Sequence, residues 1–235
     1  VPGEKFPRFR PTQSLSQKEA RYAGPIRDRA SAGRLIDTLE DSFELCREYP
    51  ILLAAPHGRA CAYKEMGKCP APCDGSVPMA WYHEQMAEAW RFMTETAARR
   101  AWEVRENAAM MAAARGRAFE RAGRIKTRLQ RAGVVYGEAF AHVAALEAAS
   151  WLVLQAGAGR RCVEAFLATG GRIQALSPLR KKTLAADAAV VLGEVEGLAR
   201  APIAAPMDAA GQDYLALVGH HLFRAGFVGI HGGPS

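Results

Sequence analysis

The chain has 235 residues, 49% hydrophobic and 23% charged, the balance of a folded globular protein with room for a real core. No secretory leader pattern and no membrane-length apolar run is found, so no membrane association and a reducing, cytoplasmic setting are expected. The net charge of +7 points to a polyanionic partner, nucleic acid above all, because Lys and Arg release counterions from phosphate. Residues 91–133 hold eleven Lys/Arg against four Asp/Glu, a surplus equal to that whole excess.

Residues 1–25 are rich in Pro, Gly and Arg, with a short strand expected over 6–10 and a turn over 22–25. Residues 28–49 read as a helix, with Leu35, Ile36, Leu39, Phe43 and Leu45 near a 3.6 period and Asp28 or Ser31 as N-cap. It would deliver Cys46 at its end and stop before Pro50. Residues 51–55 read as a brief extended link.

Four of the five cysteines, Cys46, Cys61, Cys69 and Cys73, follow within 28 positions, separated by 14, 7 and 3 residues. Gly67, Pro70, Pro72 and Gly75 keep the last two out of a regular helix, and an irregular loop can aim several thiolates at one point. Three readings stand: a metal or iron–sulfur site, disulfides, or small buried hydrophobes. Clustered cysteines in a reducing compartment favour ligands. Only Cys69 and Cys73 have the short spacing of a zinc knuckle, and the wider intervals lean toward a cluster.

The run Cys61-Ala-Tyr-Lys-Glu-Met-Gly-Lys-Cys69-Pro-Ala-Pro-Cys73-Asp-Gly resembles the cysteine-rich segment of the UvrC/Cho-like excinuclease family of bacterial nucleotide excision repair. The resemblance implies that Cys46, Cys61, Cys69 and Cys73 bind a [4Fe–4S] cluster, with zinc as the alternative. Phe6-Pro-Arg and Tyr22-Ala-Gly-Pro25 are similar to the end of that family's GIY-YIG nuclease domain. The catalytic Gly-Ile-Tyr…Tyr-Ile-Gly hairpin is not found, so no catalytic residue is assigned. The chain reads as starting beyond the catalytic part, either a fragment of a longer nuclease or a form without it.

Ser76 with Pro78 marks the next helix start, and Tyr82, Met86, Ala89/Trp90 and Met93 line one face. Trp81, Trp90 and Phe92 read as core before base-stacking residues. Residues 98–131 read as a helical hairpin, broken at the C-cap by Gly116. Trp102, Val104, Met110/Met111 and Ala114 line its first arm, and Phe119, Ala122, Ile125 and Leu129 its second. Its stretch Phe119-Glu-Arg-Ala-Gly-Arg-Ile125-Lys resembles the UVR motif, by which UvrC pairs with a like hairpin of UvrB, although Gly123 departs from the family's alanine. That implies partner contacts through Phe119, Glu120, Ala122 and Ile125. A plain antiparallel hairpin packed on its own domain is the competing account. Arg115, Arg117, Arg121, Arg124, Lys126 and Arg128 are the candidate DNA contacts.

Residues 134–149 are Ala-rich and read as helical. Strands are expected at 151–155, 161–169 and 172–176, a three-stranded antiparallel meander turning at Gly157-Ala-Gly159 and Gly170-Gly171. Arg160, Arg161 and Arg172 read as solvated edge charges and Cys162 as packed. A helix over 178–199 capped by Ser177, a linker over 201–206 and a helix over 208–225 follow, with Tyr214, Leu217/Val218, Leu222 and Phe223 inward. Adjacent His220 and His221 point about 100° apart and do not suit one ion. Residues 229–235 should fray.

The expected fold is mainly α with a small antiparallel β element, an α+β protein. Its expected parts are 1–27 as the end of a nuclease domain, 28–97 with the cysteine segment, 98–133 as the hairpin, and 134–235 as a small α+β domain. The expected role is a DNA-repair module of UvrC/Cho type. The alternative is a zinc-stabilised helical nucleic-acid-binding or adaptor protein unrelated to excision repair.

Overall fold

The computed structural model describes residues 5–159, 161–169, 172–198, 207–223 and 230–231. The chain forms two compact units, Val1–Pro11 with Asp28–Ala141, and Thr12–Arg27 with His142–Ser235. The first is helical and the second α+β, so the mainly α composition with a small antiparallel element holds.

In the first unit, α1 (Arg29–Ser42) starts at Asp28, whose carboxylate accepts the Ser31 N–H at 2.7 Å. It stops seven residues short of the expected end. The Leu45 N–H returns to the Glu40 carbonyl at 3.0 Å while Glu44 takes φ 54, a left-handed close. On a continuing helix Phe43 and Leu45 would project roughly 200° apart. The turn lets both enter the core, where each is nearly inaccessible. Cys46 therefore leaves from a loop. The expected extended link is instead the short helix α2 (Tyr49–Leu52), with Pro50 in its first turn.

Beyond α3 (Ala62–Glu65) and a 3₁₀ turn at Pro72–Asp74, α4 (Met79–Thr94) buries Tyr82, Met86, Ala89, Trp90, Phe92 and Met93. The core reading of Trp90 and Phe92 stands. Pro78, not Ser76, occupies the cap position, because Ser76 is held by Asp74 and Lys64. Residues 6–10 form no strand. Phe6 is buried, and the Phe6 and Pro7 carbonyls accept from Tyr49 Oη at 3.3 Å and Tyr82 Oη at 3.0 Å.

The hairpin is α5 (Thr96–Arg115) and α6 (Phe119–Ala132). Arg99 at its base donates to the Phe92 and Met93 carbonyls at 3.1 and 2.9 Å, satisfying the end of α4. Gly116 is the C-cap, but the left-handed residue is Arg117 (φ 60), with the Ala118 N–H closing on the Ala113 carbonyl at 2.9 Å. Trp102, Ala113 and Ile125 face inward, while Val104 and Met111, expected on the inner face, are exposed.

The second unit pairs β1 (Ala23–Gly24) with β2 (Ala144–Ala145). This pairing, with 3₁₀ turns at Gly133–Tyr136, Glu138–Phe140 and Leu146–Ala148, replaces the helix expected over 134–149. Alanine's helix propensity is a few tenths of a kcal/mol per residue and yields to long-range pairing. The meander forms as expected: β3 (Ser150–Ala156), β4 (Cys162–Thr169) and β5 (Arg172–Ala175) are antiparallel neighbours. β6 (Leu179–Arg180) also pairs with β4, and β7 (Ile230–His231) with β3, so those two tail residues are paired.

Pro178 and Ser177 start no helix. The Ser177 N–H and hydroxyl both donate to Glu194, and α7 (Leu184–Leu198) begins later. The expected last helix forms as α8 (Ala209–Leu222), capped by Asp208. The sheet's period-2 alternation sends Trp151 and Ala168 toward Val218 and Leu222 of α8, and Ala165 and Leu167 toward Val191 of α7. Tyr214 and Leu217, expected inward, are exposed. Arg160, the Gly170-Gly171 turn and the 201–206 linker lie outside the described residues.

Arg117 carries a Cβ in a conformation that costs an ordinary residue about 1 kcal/mol and glycine nothing. Arg117→Gly is therefore expected to raise the urea midpoint, by about 1 kcal/mol of stability. A lowered midpoint would count against the left-handed turn.

Candidate metal centre

Each cysteine is placed by a different device. The left-handed close of α1 releases Cys46, whose Sγ lies 3.5 Å from the Glu48 carbonyl oxygen. Cys61 sits at the N-cap of α3. Cys69 and Cys73 flank Pro70-Ala71-Pro72 and are buried. Between two prolines, Ala71 alone can donate a backbone N–H, and its left-handed conformation (φ 61) gives that N–H to the Cys69 sulfur. Cys73 Sγ is 4.0 Å from the Arg59 carbonyl oxygen.

The loop is tied shut on both sides. The Gly58 N–H donates to the Cys73 carbonyl at 2.8 Å, and a Cβ at Gly58 would stand 2.9 Å from that oxygen. Gly75 turns with φ +79 against the Pro56 carbonyl. Lys64 Nζ reaches Asp74 Oδ2 and Ser76 Oγ, both at 2.7 Å, bridging α3 to the turn after Cys73. That Lys64 bond, with those from Ser76, holds the Asp74 carboxyl down to about 2.

The four thiols influence one another. Cys46 and Cys69 share a hydrogen bond that pushes the Cys46 thiol up and brings Cys69 down to about 7. Burial, then the charge of Cys69, raises Cys73, which also senses Cys61. All are free thiols, as is Cys162 in the other unit, near Glu164. As placed, no three His, Cys, Asp or Glu side chains among the described residues converge tightly enough for a single ion.

Sequence reasoning passed over two residues here. Ala71 was legible as the single N–H in a Pro-Ala-Pro run. Arg47 was legible only as an arginine beside a cysteine. Its guanidinium bonds Asp41, lies 3.6 Å from Glu40, stands 5.2 Å over the Tyr63 ring and helps lower the Cys69 thiol. Its side chain is only 15% exposed, and Nη1 is buried with no hydrogen-bond partner.

The candidate partner residues divide. Phe119 is 68% exposed and Glu120 exposed, Ala122 is half-buried, and Ile125 is buried in the helical unit. The candidate DNA contacts divide too. Arg115, Arg117, Arg121, Arg124 and Lys126 are exposed, and none makes an ion pair among the described residues. Arg128 is half-buried between Glu106 and Glu44. Arg131 binds Asp41 at 2.7 Å and Arg105 binds Glu88 at 2.7 Å. No described helix is long and apolar enough to cross a membrane.

Comparison with known proteins finds similarity to one family. Residues 1–92 match the model of the UvrC/Cho excinuclease middle domain. The chain is 31% identical over 129 residues to UvrABC system protein C of Moorella thermoacetica, covering 54% of this chain and 20% of the relative. It is 34% identical over 80 residues to that of Trichlorobacter lovleyi, 34% of this chain and 13% of the relative. With that of Mesorhizobium japonicum it shares 28% over 173 residues, 73% of this chain and 25% of the relative. The chain thus spans a quarter or less of these relatives' own length. No solved structure matches it.

Beside the centre, burial outweighs the Arg47 charge and raises Glu40 to about 7 from its usual 4.5. A carboxyl with a raised folded pKa adds stability that is full below about 4.5 and lost as pH rises through about 7. Glu40→Gln should therefore melt like the native chain at pH 5 and above it at pH 8. Equal melting at pH 8, or a loss there, would show that the Arg47 pair keeps Glu40 charged at little cost.

Proposed function

We propose that this chain, whose residues 1–92 match the model of the UvrC/Cho excinuclease middle domain, is a member of that family and a nucleotide-excision-repair module that holds a [4Fe–4S] cluster, binds DNA and docks a repair partner. The observation that carries the proposal is the proximity of the four thiols within the matched stretch: Cys46 bonds Cys69, and Cys73 senses both Cys69 and Cys61. The donor set suits the cluster: four free thiols, one of them titrating near neutrality, with a backbone N–H already given to a sulfur. When bound, such a cluster supplies a rigid four-way crosslink between α1 and the loop of residues 58–75, and binding energy there is folding energy.

The rest of the chain contributes surface. Phe119 and Met111, exposed on the hairpin, offer the apolar contacts through which a UvrB-like hairpin would dock, while Ile125 serves internal packing. Arg115, Arg117, Arg121, Arg124 and Lys126 supply cations for phosphate, and Arg128 holds the hairpin to Glu106 and Glu44. The chemistry assigned here is ligation and electrostatics, not hydrolysis.

Anaerobic purification with iron, sulfide and zinc analysis tests the reading. Brown protein absorbing near 400 nm with about four irons per chain is expected of a [4Fe–4S] site. One zinc without sulfide would replace the cluster with a structural ion. Cys61→Ala and Cys69→Ala should each lose the metal and melt at lower temperature, because the loop folds around it. Unchanged metal content in either variant defeats the ligand assignment. DNA affinity should fall steeply between 50 and 200 mM salt, and replacing Arg121, Arg124 and Lys126 by alanine should flatten the log–log slope by about 0.9 for each phosphate no longer neutralised. A flat native response removes DNA from the account.

A further inference from the structure

Two guanidiniums of the helical unit keep a buried nitrogen without a hydrogen-bond partner, Arg128 at Nε and Arg47 at Nη1, and of the two only Arg47 adjoins a cysteine of the centre. Its Nη2 bonds Asp41 and its Nε faces Glu40 at 3.6 Å, yet Nη1 is buried with no partner. A buried charged donor left unmet costs on the order of 1–3 kcal/mol or more, so a fold does not retain one without an acceptor somewhere in its working form. The surroundings narrow the acceptor. Arg47 adjoins Cys46 in the chain, its guanidinium lies over Tyr63 in the Cys61–Cys69 loop, and its charge reaches Cys69. The two carboxylates on its other side do not cancel it: Asp41 is shared with Arg131, and burial makes Glu40 reluctant to ionise.

We propose that Arg47 is the positioning and charge-balancing residue of the four-cysteine centre, donating through Nη1 to a sulfur of the group that Cys46, Cys61, Cys69 and Cys73 hold. This rests on the cluster reading above. Four thiolates gathered in a half-buried loop repel one another, and a fixed guanidinium offsets that repulsion as the centre is loaded. The same charge favours the more negative of two oxidation levels of a bound cluster, since hydrogen bonds and net charge near the sulfurs set its potential. Asp41 orients the donor, as carboxylates behind metal-site donors do.

The test compares native protein, Arg47→Met and Arg47→Lys after anaerobic reconstitution, reading iron and sulfide per chain, loss of the 400 nm band under a chelator, and the reduction midpoint. Arg47→Met keeps the aliphatic stem and removes the charge. It should lose its iron about 10–100-fold faster than the native chain, the range seen when a partner of a metal ligand is removed. Its midpoint should move to lower potential. Arg47→Lys keeps the charge without the planar fork, so its midpoint should stay near native while iron is lost at an intermediate rate. Should Arg47→Met fail to fold, Arg47→Lys carries the test alone, and a midpoint displaced downward there overturns the charge role. Native-like iron retention and midpoint in Arg47→Met also overturn the proposal while leaving the cluster in place. Native protein free of iron and sulfide removes the cluster reading and this proposal together.

Discussion

Three aromatic rings from three separate segments decide where the first unit keeps everything else. Phe43, just past α1, Phe92 in α4 and Trp102 in α5 contact one another with centroids 5.0–5.6 Å apart, two of the three pairs edge to face. Pairs of this kind add about 0.5–1.5 kcal/mol each beyond the burial of the rings. The larger effect is geometric. Drawing Phe43 inward ends α1 early and forces Glu44 into a left-handed turn, and that turn aims Cys46 toward the Pro70–Pro72 loop. Holding Trp102 fixes the root of the hairpin through the same contact, so the cysteine centre and the hairpin share one anchor.

Apart from exposed Arg91 and Arg100, the positive charge of residues 91–133 falls into two populations that composition cannot separate. Arg99, Arg105, Arg128 and Arg131 satisfy carbonyls and carboxylates of their own unit. Arg115, Arg117, Arg121, Arg124 and Lys126 stand in solvent near the hairpin turn. Among these ion pairs only Arg128, 25% exposed and shared between Glu106 and Glu44, is worth more to the fold than an isolated surface pair. The second kind leaves a cationic end on the helix pair. A formal net charge of +7 therefore overstates how broadly the surface is basic and understates how concentrated it is.

Much of this was legible along the chain. The α4 face, the hairpin with its break at Gly116, the three-stranded meander and the last helix follow from local period and turn chemistry. What escaped depends on contacts distant in sequence. Ser76 and Ser177 look like helix caps, but Asp74, Lys64 and Glu194 claim them. Residues 134–149 look helical, but Ala23 and Gly24 supply a strand partner that no local window contains. The four cysteines stood out by rarity and spacing, whereas Arg47 did not, because an arginine's neighbours become visible only once the chain has turned. Apolar period likewise marked Val104, Met111 and Ile125 alike, though only the last is buried.

The path of the chain between its two units has a consequence for biosynthesis. Residues 12–27 belong with 142–235, while 28–141 belong with the segment before them, so neither unit is a continuous stretch. Strand β1 at Ala23–Gly24 leaves the ribosome long before its partner at Ala144–Ala145. At translation rates of about 5–20 residues per second, the delay is on the order of ten seconds. The helical unit can close in that interval with residues 12–27 carried as a loop. That loop holds an unpaired strand until the second half arrives, which makes it the segment for which a chaperone or a neighbouring nascent chain has the longest opportunity to compete.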